Sequence, residues 1–401
     1  MNENYEIRVM RDDEREALAA LYNNAYRVGM DVGREWAAGA DMQSGVACVC
    51  DDGRIGSCVR IIPYTIYAGG QTLRMGGIGG VATWCDLQGR GYAGKCMSES
   101  LRMMYDQGYA VSALYPFSYR YYGNYGWSLC GEQLIYGPFD QSKVTRFDER
   151  RLVRCVTDAE RDAAALAAVY NEFAARYNGM ATRSADEMVS RVRKNGDVHA
   201  GQTYLIEDDG VAIGYFMCEH LKEGWYSHCQ ITQFACNGTR AWHAMFGFCA
   251  SMPTNVSKIS LFAPLSPSLM PYAVEPVLPV RKASLFMGRV VDIKKAVEGR
   301  GYSAAANGMV RVKIEDKYAP WNSGIWTLRF ICGVPRAERT DDADVPYDCA
   351  MTINEFSQLW YGYLDIRALH SQGLTTQVSE ETACFLTTVF CDRIPYLAET
   401  F

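Results

Sequence analysis

The stretch Gly79–Cys96, GGVATWCDLQGRGYAGKC, concentrates residue types that bind a diphosphate. Gly89, Gly91 and Gly94 spell G-x-G-x-x-G, the turn that cradles the pyrophosphate of a dinucleotide. Gln88, Gly91 and Ala93 spell Q-x-x-G-x-A, a turn suited to the pyrophosphate of an acyl-coenzyme A. Both readings use the same physics: glycines let the backbone come close, and the first turn of a helix offers amides and a positive dipole end. The surroundings separate them. A dinucleotide loop needs an acidic residue about 20 positions on to hold the ribose, yet Gln107 to Gly131 contains no Asp or Glu. The preceding strand also belongs to an antiparallel meander rather than a parallel βαβ unit.

The acyl-coenzyme A reading assigns a part to each piece. A strand ends in Val81, Ala82 and Thr83, and the amides of Gly89, Gly91, Tyr92, Ala93 and Gly94 converge on the pyrophosphate. Arg90 either adds a charge at the rim or is a solvated loop arginine. Acyl transfer to an amine then needs a proton acceptor for the nitrogen, a donor near the thioester oxygen and a proton for the departing thiolate. The amide of Thr83 or a neighbour is the expected donor. The first histidine is His199, so the base and acid of the first domain come from carboxylates, tyrosines or water. The aromatics of YYGNYGW include candidate acids, although taken alone each reads more readily as core. Asp31, Glu35 and Trp36, after the first helix, could line an amine pocket or form a solvated lid.

These residues need elements to hold them. Ala93, Met97, Leu101, Met104 and Tyr105 recur at helical spacing, predicting a helix from about Tyr92 to Gln107 with Gly108 as its stop. Before it, VACVC and IGSCVRIIPYTIY flank the turn at Asp51-Asp52-Gly53, and Ala68-Gly69-Gly70-Gln71 makes the next turn of a meander. LAALYN at Leu18 recurs as LAAVYN at Leu166, an offset of 148 residues. That spacing is about one domain length, which predicts tandem related domains. Thr157 with Glu160 predicts the capping box of the second helix. Past residue 286, GMVRVKIED and SGIWTLRFI read as paired strands, Thr352 with Glu355 opens a helix and Ser379 caps another. This is a third, α+β region, and Trp321, Trp326 and Trp360 read as its core.

A formal net charge of -6 with 21% charged residues gives no basic excess for a phosphate backbone, so no nucleic-acid partner is expected. Fifteen cysteines lack any C-x-x-C. They read as reduced thiols of a cytoplasmic protein, with no metal expected. The polar start and the lack of an 18-residue apolar run predict neither signal peptide nor membrane span.

Through MGGIGGVAT, QGRGYAG and ALYPFSYRYYGNYGW the chain resembles the GCN5-related N-acetyltransferases, and within them the Eis (enhanced intracellular survival) family. The resemblance implies an α/β (α+β) chain of tandem acetyltransferase folds, each a mixed sheet flanked by helices, followed by a sterol-carrier-protein-like α+β domain. The expected boundaries are 1–140 for the catalytic domain, 141–285 for a degenerate second copy and 286–401 for the last domain. It implies acetyl-coenzyme A as co-substrate and a small multi-amine acceptor such as an aminoglycoside. It also implies a homo-oligomer, commonly a hexamer, with Tyr122 as the acid and the carboxylate of Phe401 as the base. In the second copy the loop positions fall on Cys236, Thr239 and Ala241, so one cofactor site per chain is expected. The chain departs from the pattern before its last phenylalanine, where Thr400 stands and Glu399 lies one place earlier. A protein-lysine acetyltransferase and a silent coenzyme A sensor remain open.

Overall fold

The computed structural model describes residues 5–197, 200–276, 278–376, 378–399 and 401. Its contacts divide the chain into two compact units. The first joins residues up to Cys130 with Phe286–Asp392 and with Glu399 and Phe401; the second joins Gly131–Leu285 with Arg393–Ala398.

The first unit opens with β1 (Tyr5–Val9), α1 (Arg15–Tyr26), α2 (Met30–Ala38) and β2 (Gly45–Cys50). The long hairpin β3 (Ile55–Ala68) and β4 (Gln71–Thr83) follows, then α3 (Tyr92–Asp106), β5 (Val111–Leu114) and the short α4 (Tyr119–Gly123). Strand alternation decides the layers. Val46 and Cys48 pack with Val59, Ile61, Met97, Leu101 and Met104 under α3. Their neighbours Ala47 and Val49 pack on the other face with Leu18, Leu21 and Tyr22 of α1. A sheet buried on both faces is the result. Leu18, Leu21 and Tyr22 sit at i, i+3 and i+4 and are nearly inaccessible; each apolar side chain so buried contributes about 1.5–3 kcal/mol.

The second unit is built from β6 (Ser128–Phe139, from Gly131 onward), β7 (Val153–Cys155), α5 (Ala159–Ala174), α6 (Ala185–Asp197) and β8 (Gln202–Asp208). The hairpin β9 (Val211–Glu223) and β10 (Tyr226–Cys236), α7 (Thr239–Cys249) and β11 (Val256–Ala263) complete it. The element order repeats that of the first unit, and so does the sheet: β1-β2-β3-β4-β5 in one, β7-β8-β9-β10-β11 in the other. In both the last two strands pair parallel. The repeated helix motif lies on α1 and α5, as the duplication requires. One local expectation is corrected: α5 is capped by Asp158, whose side chain accepts from the Arg161 amide, rather than by Thr157. Aspartate one residue on meets the amide at 3.0 Å, which leaves the threonine no cap to make.

The two copies exchange a strand. Leu134–Phe139 of β6 pair antiparallel with β11 in the second unit. Met287–Val290, at the end of β12 (Val280–Val290), pair antiparallel with β5 in the first. After β12 come α8 (Ile293–Gly299) and the sheet of β13 (Gly308–Glu315), β14 (Gly324–Ile331), β15 (Val334–Thr340) and β16 (Cys349–Thr352). The helices α9 (Ile353–Tyr361), α10 (Ile366–Ser371) and α11 (Glu380–Phe390) finish the region. Thr352 and Glu355 form the expected capping box and Ser379 caps α11.

Candidate active site

Gly91 turns the chain into α3 from the left-handed region, at φ 80° and ψ 6°, and Gly89 does the same at φ 81°. A Cβ at either position would touch nothing. The backbone conformation, not crowding, therefore demands glycine there. The amide of Lys95 makes the first helical bond, to Gly91 O at 3.2 Å, so the amides of Ala93 and Gly94 precede any acceptor within the helix. The turn borders a cleft of about 560 Å3 lined by Gln88, Gly89, Gly91, Tyr92, Ala93 and Gly94, by Val81 and Thr83 of β4, and by Tyr26, Phe117, Tyr121 and Tyr125. Eight of the ten expected cofactor residues thus share one surface. Of the other two, Ala82 packs into the core beneath α1, and the Arg90 guanidinium lies 3.5 Å from Asp86 O.

Beside the cleft β4 breaks register. Ala82 faces Cys58 and Gly79 faces Arg60, so Gly80 and Val81 together oppose a single position of β3. Gly80 takes φ 57° at this bulge. The Tyr26 hydroxyl donates to the Val81 carbonyl at 2.7 Å, and Thr83 Oγ1 lies 2.8 Å from Ser57 Oγ. A bulge at the mouth of the cleft frees strand backbone to meet a ligand.

Tyr26 also lines a second cavity of about 450 Å3, with Tyr22, Glu35, Trp36, Gly39, Arg60, Gly80 and Phe401. The rings of Tyr22, Tyr26 and Trp36 meet pairwise at 5.8–6.1 Å between centroids. Phe401 packs on Tyr64 and Tyr115 at 5.6 and 5.3 Å. Its seat is a glycine floor on β4: a Cβ on Gly77 would stand 2.6 Å from the Phe401 ring, and one on Gly79 3.1 Å from its backbone carbonyl carbon. Glu35 and Trp36 are thereby brought to Phe401. Asp31 is not: its side chain is fully exposed, 3.7 Å from Arg34. His199 and Thr400 lie outside the described residues, and Glu399 is buried.

Tyr122 lies on α4 in the core under α3, with its ring against Phe117 and Tyr121 at 5.1 Å. Burial, with a smaller contribution from nearby Tyr26, pushes its phenol well above the ordinary value. It is therefore a neutral O–H throughout the physiological range. The turn after it is tied down from the C-terminal region: Asn354 Nδ2 donates to Gly123 O at 3.1 Å and to Trp127 O at 3.3 Å. Gly126, at φ 92°, leaves room for Arg289, whose Nη1 would overlap a Cβ there.

Residues 6–130 match the acetyltransferase (GNAT) domain, and residues 293–398 match the sterol carrier protein domain. The chain carries a GNAT acetyltransferase domain. Over 90 residues it is 30% identical to an uncharacterized N-acetyltransferase of Streptomyces coelicolor, a stretch covering 22% of this chain and 21% of that relative. Solved structures resemble the whole chain. A GCN5-related N-acetyltransferase from Anabaena variabilis superposes with a TM-score of 0.89 at 18% identity, covering 99% of this chain and 100% of the other. Eis1 from Mycobacterium abscessus gives 0.82 at 15%, covering 99% and 100%. At these identities the likeness is one of fold. No helix among the described residues is long and apolar enough to cross a membrane.

Within the acetyltransferase domain, sequence reasoning missed Tyr22, Tyr26, Arg60 and Gly80 as walls of the second cavity, and Gly77 and Gly79 as the bed of Phe401. The i, i+4 pair Tyr22 and Tyr26 and the run MGGIGGVAT were the available signals, since a strand that gives up side chains at alternate positions makes room for something else.

Proposed function

We propose that the chain is an N-acetyltransferase moving the acetyl group of acetyl-coenzyme A to a primary amine of a small molecule. The observation that carries the reading is the juxtaposition at Tyr26: on one side the cleft bordered by the glycine turn and the β4 bulge, on the other the cavity holding Phe401. The pyrophosphate sits on the amides around Gly89–Gly94, and the thioester reaches β4, where a backbone amide near Thr83 meets its oxygen. The amine enters past Trp36 and Glu35. The carboxylate of Phe401 takes the ammonium proton, directly or through water, and the free nitrogen attacks the thioester carbon. A C–N bond forms, the C–S bond breaks, the thiolate takes its proton from Tyr122, and the proton shed by the acylated nitrogen restores that phenol through water. A phenol is a weaker acid than a thiol even before burial, so the transfer costs about 2 kcal/mol or more, a cost that the thiolate beside the hydroxyl reduces. The proposal includes the cytoplasmic homo-oligomer, a hexamer, that the Eis resemblance implies.

Two acceptor classes follow. The Eis resemblance favours multi-amine compounds such as aminoglycosides. Arg60 in the same cavity as Glu35, among three aromatic rings, favours instead an amine on an aromatic or apolar body, because a fixed cation repels a polycation. The test incubates full-length protein and acetyl-coenzyme A with aminoglycosides, aromatic monoamines and lysine peptides, following thiol release and product mass. Acetylation of a small amine, abolished by residues appended after Phe401, is expected. Cofactor binding without thiol release from any amine overturns the reading, as does modification of peptides alone.

A further inference from the structure

We propose that the β9–β10 hairpin of the second unit binds one thiophilic divalent metal ion, zinc by preference, through Cys218, His220 and Cys229. The three donor atoms lie within 4.8 Å of one another, and among the described residues no other trio of such side chains closes as tightly. The sheet register explains why. Cys218 and His220 are two residues apart on β9 and so share a face, and Cys229 of β10 stands directly opposite His220. Cys218 Sγ is 3.8 Å from His220 Nε2. Donors about 2.3 Å (sulfur) and 2.0–2.1 Å (nitrogen) from a tetrahedral zinc stand roughly 3.6 Å apart, so a small contraction of side chains already on one face seats an ion. Both thiols are buried while His220 is half-buried. That leaves the imidazole side as the approach for a fourth, solvent ligand.

The electrostatics fit the same assignment. Cys229 and His220 hydrogen-bond to the Cys218 sulfur and lower its proton affinity. The same pairing raises His220 and holds the proton on Cys229. Binding of a divalent cation to two cysteines and a neutral imidazole displaces the thiol protons. The alignment expected at Cys236, Thr239 and Ala241 is corrected by one residue: Gly238, at φ 98°, enters α7 as Gly91 enters α3, but only Asn237 and Gly238 separate β10 from that helix, so the longer glycine turn of the first copy is missing. An ion in the sheet of the second copy is then a clamp across the hairpin rather than part of acetyl transfer.

Full-length protein, reduced and stripped with chelator, is titrated with cobalt(II). One equivalent is expected to give the visible bands of a tetrahedral site and sulfur-to-metal charge transfer in the near ultraviolet, both erased by one equivalent of zinc with proton release. Cys218→Ser or Cys229→Ser should remove the charge transfer, and His220→Ala, at a less buried position, should weaken zinc binding at least tenfold while the circular dichroism spectrum is kept. An absence of charge transfer in the parent protein, its survival in the cysteine variants, or a Cys218–Cys229 disulfide in protein purified without oxidant overturns the assignment.

Discussion

In the proposed reaction Tyr122 and Phe401 face opposite requirements. An acid must keep its proton until the thiolate forms, and burial secures that for Tyr122. Tyr122→Phe removes the proton while keeping the ring against Phe117 and Tyr121, so turnover should fall at least tenfold with coenzyme A affinity, read by calorimetry, unchanged. Full turnover would take Tyr122 out of the mechanism. Phe401 depends on what β4 omits. Gly77→Ala puts a methyl 2.6 Å from the ring, inside van der Waals contact, and the ring must leave its seat. We expect loss of most of the turnover with a normal melting temperature and cofactor affinity; unchanged kinetics would mean that the position of Phe401 does not matter. Tyr122 was singled out only through the resemblance, because an aromatic in YYGNYGW reads more readily as core, and the structure does bury it there. Gly91 was readable from its own chemistry, since a turn entering a helix at φ 80° selects it.

At the scale of elements, period and punctuation made most of the first acetyltransferase unit legible. α3 was placed to within one residue, from Tyr92 to Asp106, because a buried stripe lies between two glycines. The cap of α5 was misplaced by one residue because threonine and aspartate are both good caps and only geometry chooses. The start of that helix carries a pH signature. Arg154 holds the Asp162 carboxylate at 2.7 and 2.9 Å and Arg161 at 3.0 and 3.1 Å, and these bonds keep its proton affinity far below the usual carboxylate value. A lowered folded value stabilises above the unfolded value, about 3.9, and the contribution is lost as pH falls toward the folded value. Asp162→Asn should therefore melt below the parent at pH 7, with the gap narrowing below about pH 4 in a thermal melt series. A gap independent of pH would assign the loss to packing instead. Cys218, His220 and Cys229 escaped the sequence because their spacing is set by a strand register, which no fixed ligand motif encodes.

For the molecule as a whole, the duplication was audible in one repeated helix, while the partner of β5 was not. Nothing local to Met287–Val290 indicates pairing with a strand more than 170 residues earlier. The same region ties the sterol-carrier part into the first unit. Arg289 is fully buried, and its Nη2 reaches both oxygens of Asp316 at 2.9 and 2.8 Å while the guanidinium lies over Trp127. Burial alone lowers the proton affinity of such a group, and Asp316 opposes that. Asp316→Ala strands a buried cation, so stability should drop by about 3–5 kcal/mol in urea titration of the first unit, carrying the Tyr122 turn with it through Gly126 and Trp127. A loss below about 1 kcal/mol would mean that water or relaxation reaches Arg289.

The exchanged strands also order events during synthesis. The edge of β5 emerges from the ribosome long before Met287–Val290 exist to cover it, and the intervening stretch takes on the order of ten to thirty seconds to translate. Through that interval the nascent first sheet offers a bare row of peptide donors and acceptors, the kind of edge that recruits strands from neighbouring chains. A gene shortened at residue 130 makes that interval permanent, and its product should collect in inclusion bodies unless a peptide spanning Phe286–Val291 is supplied alongside.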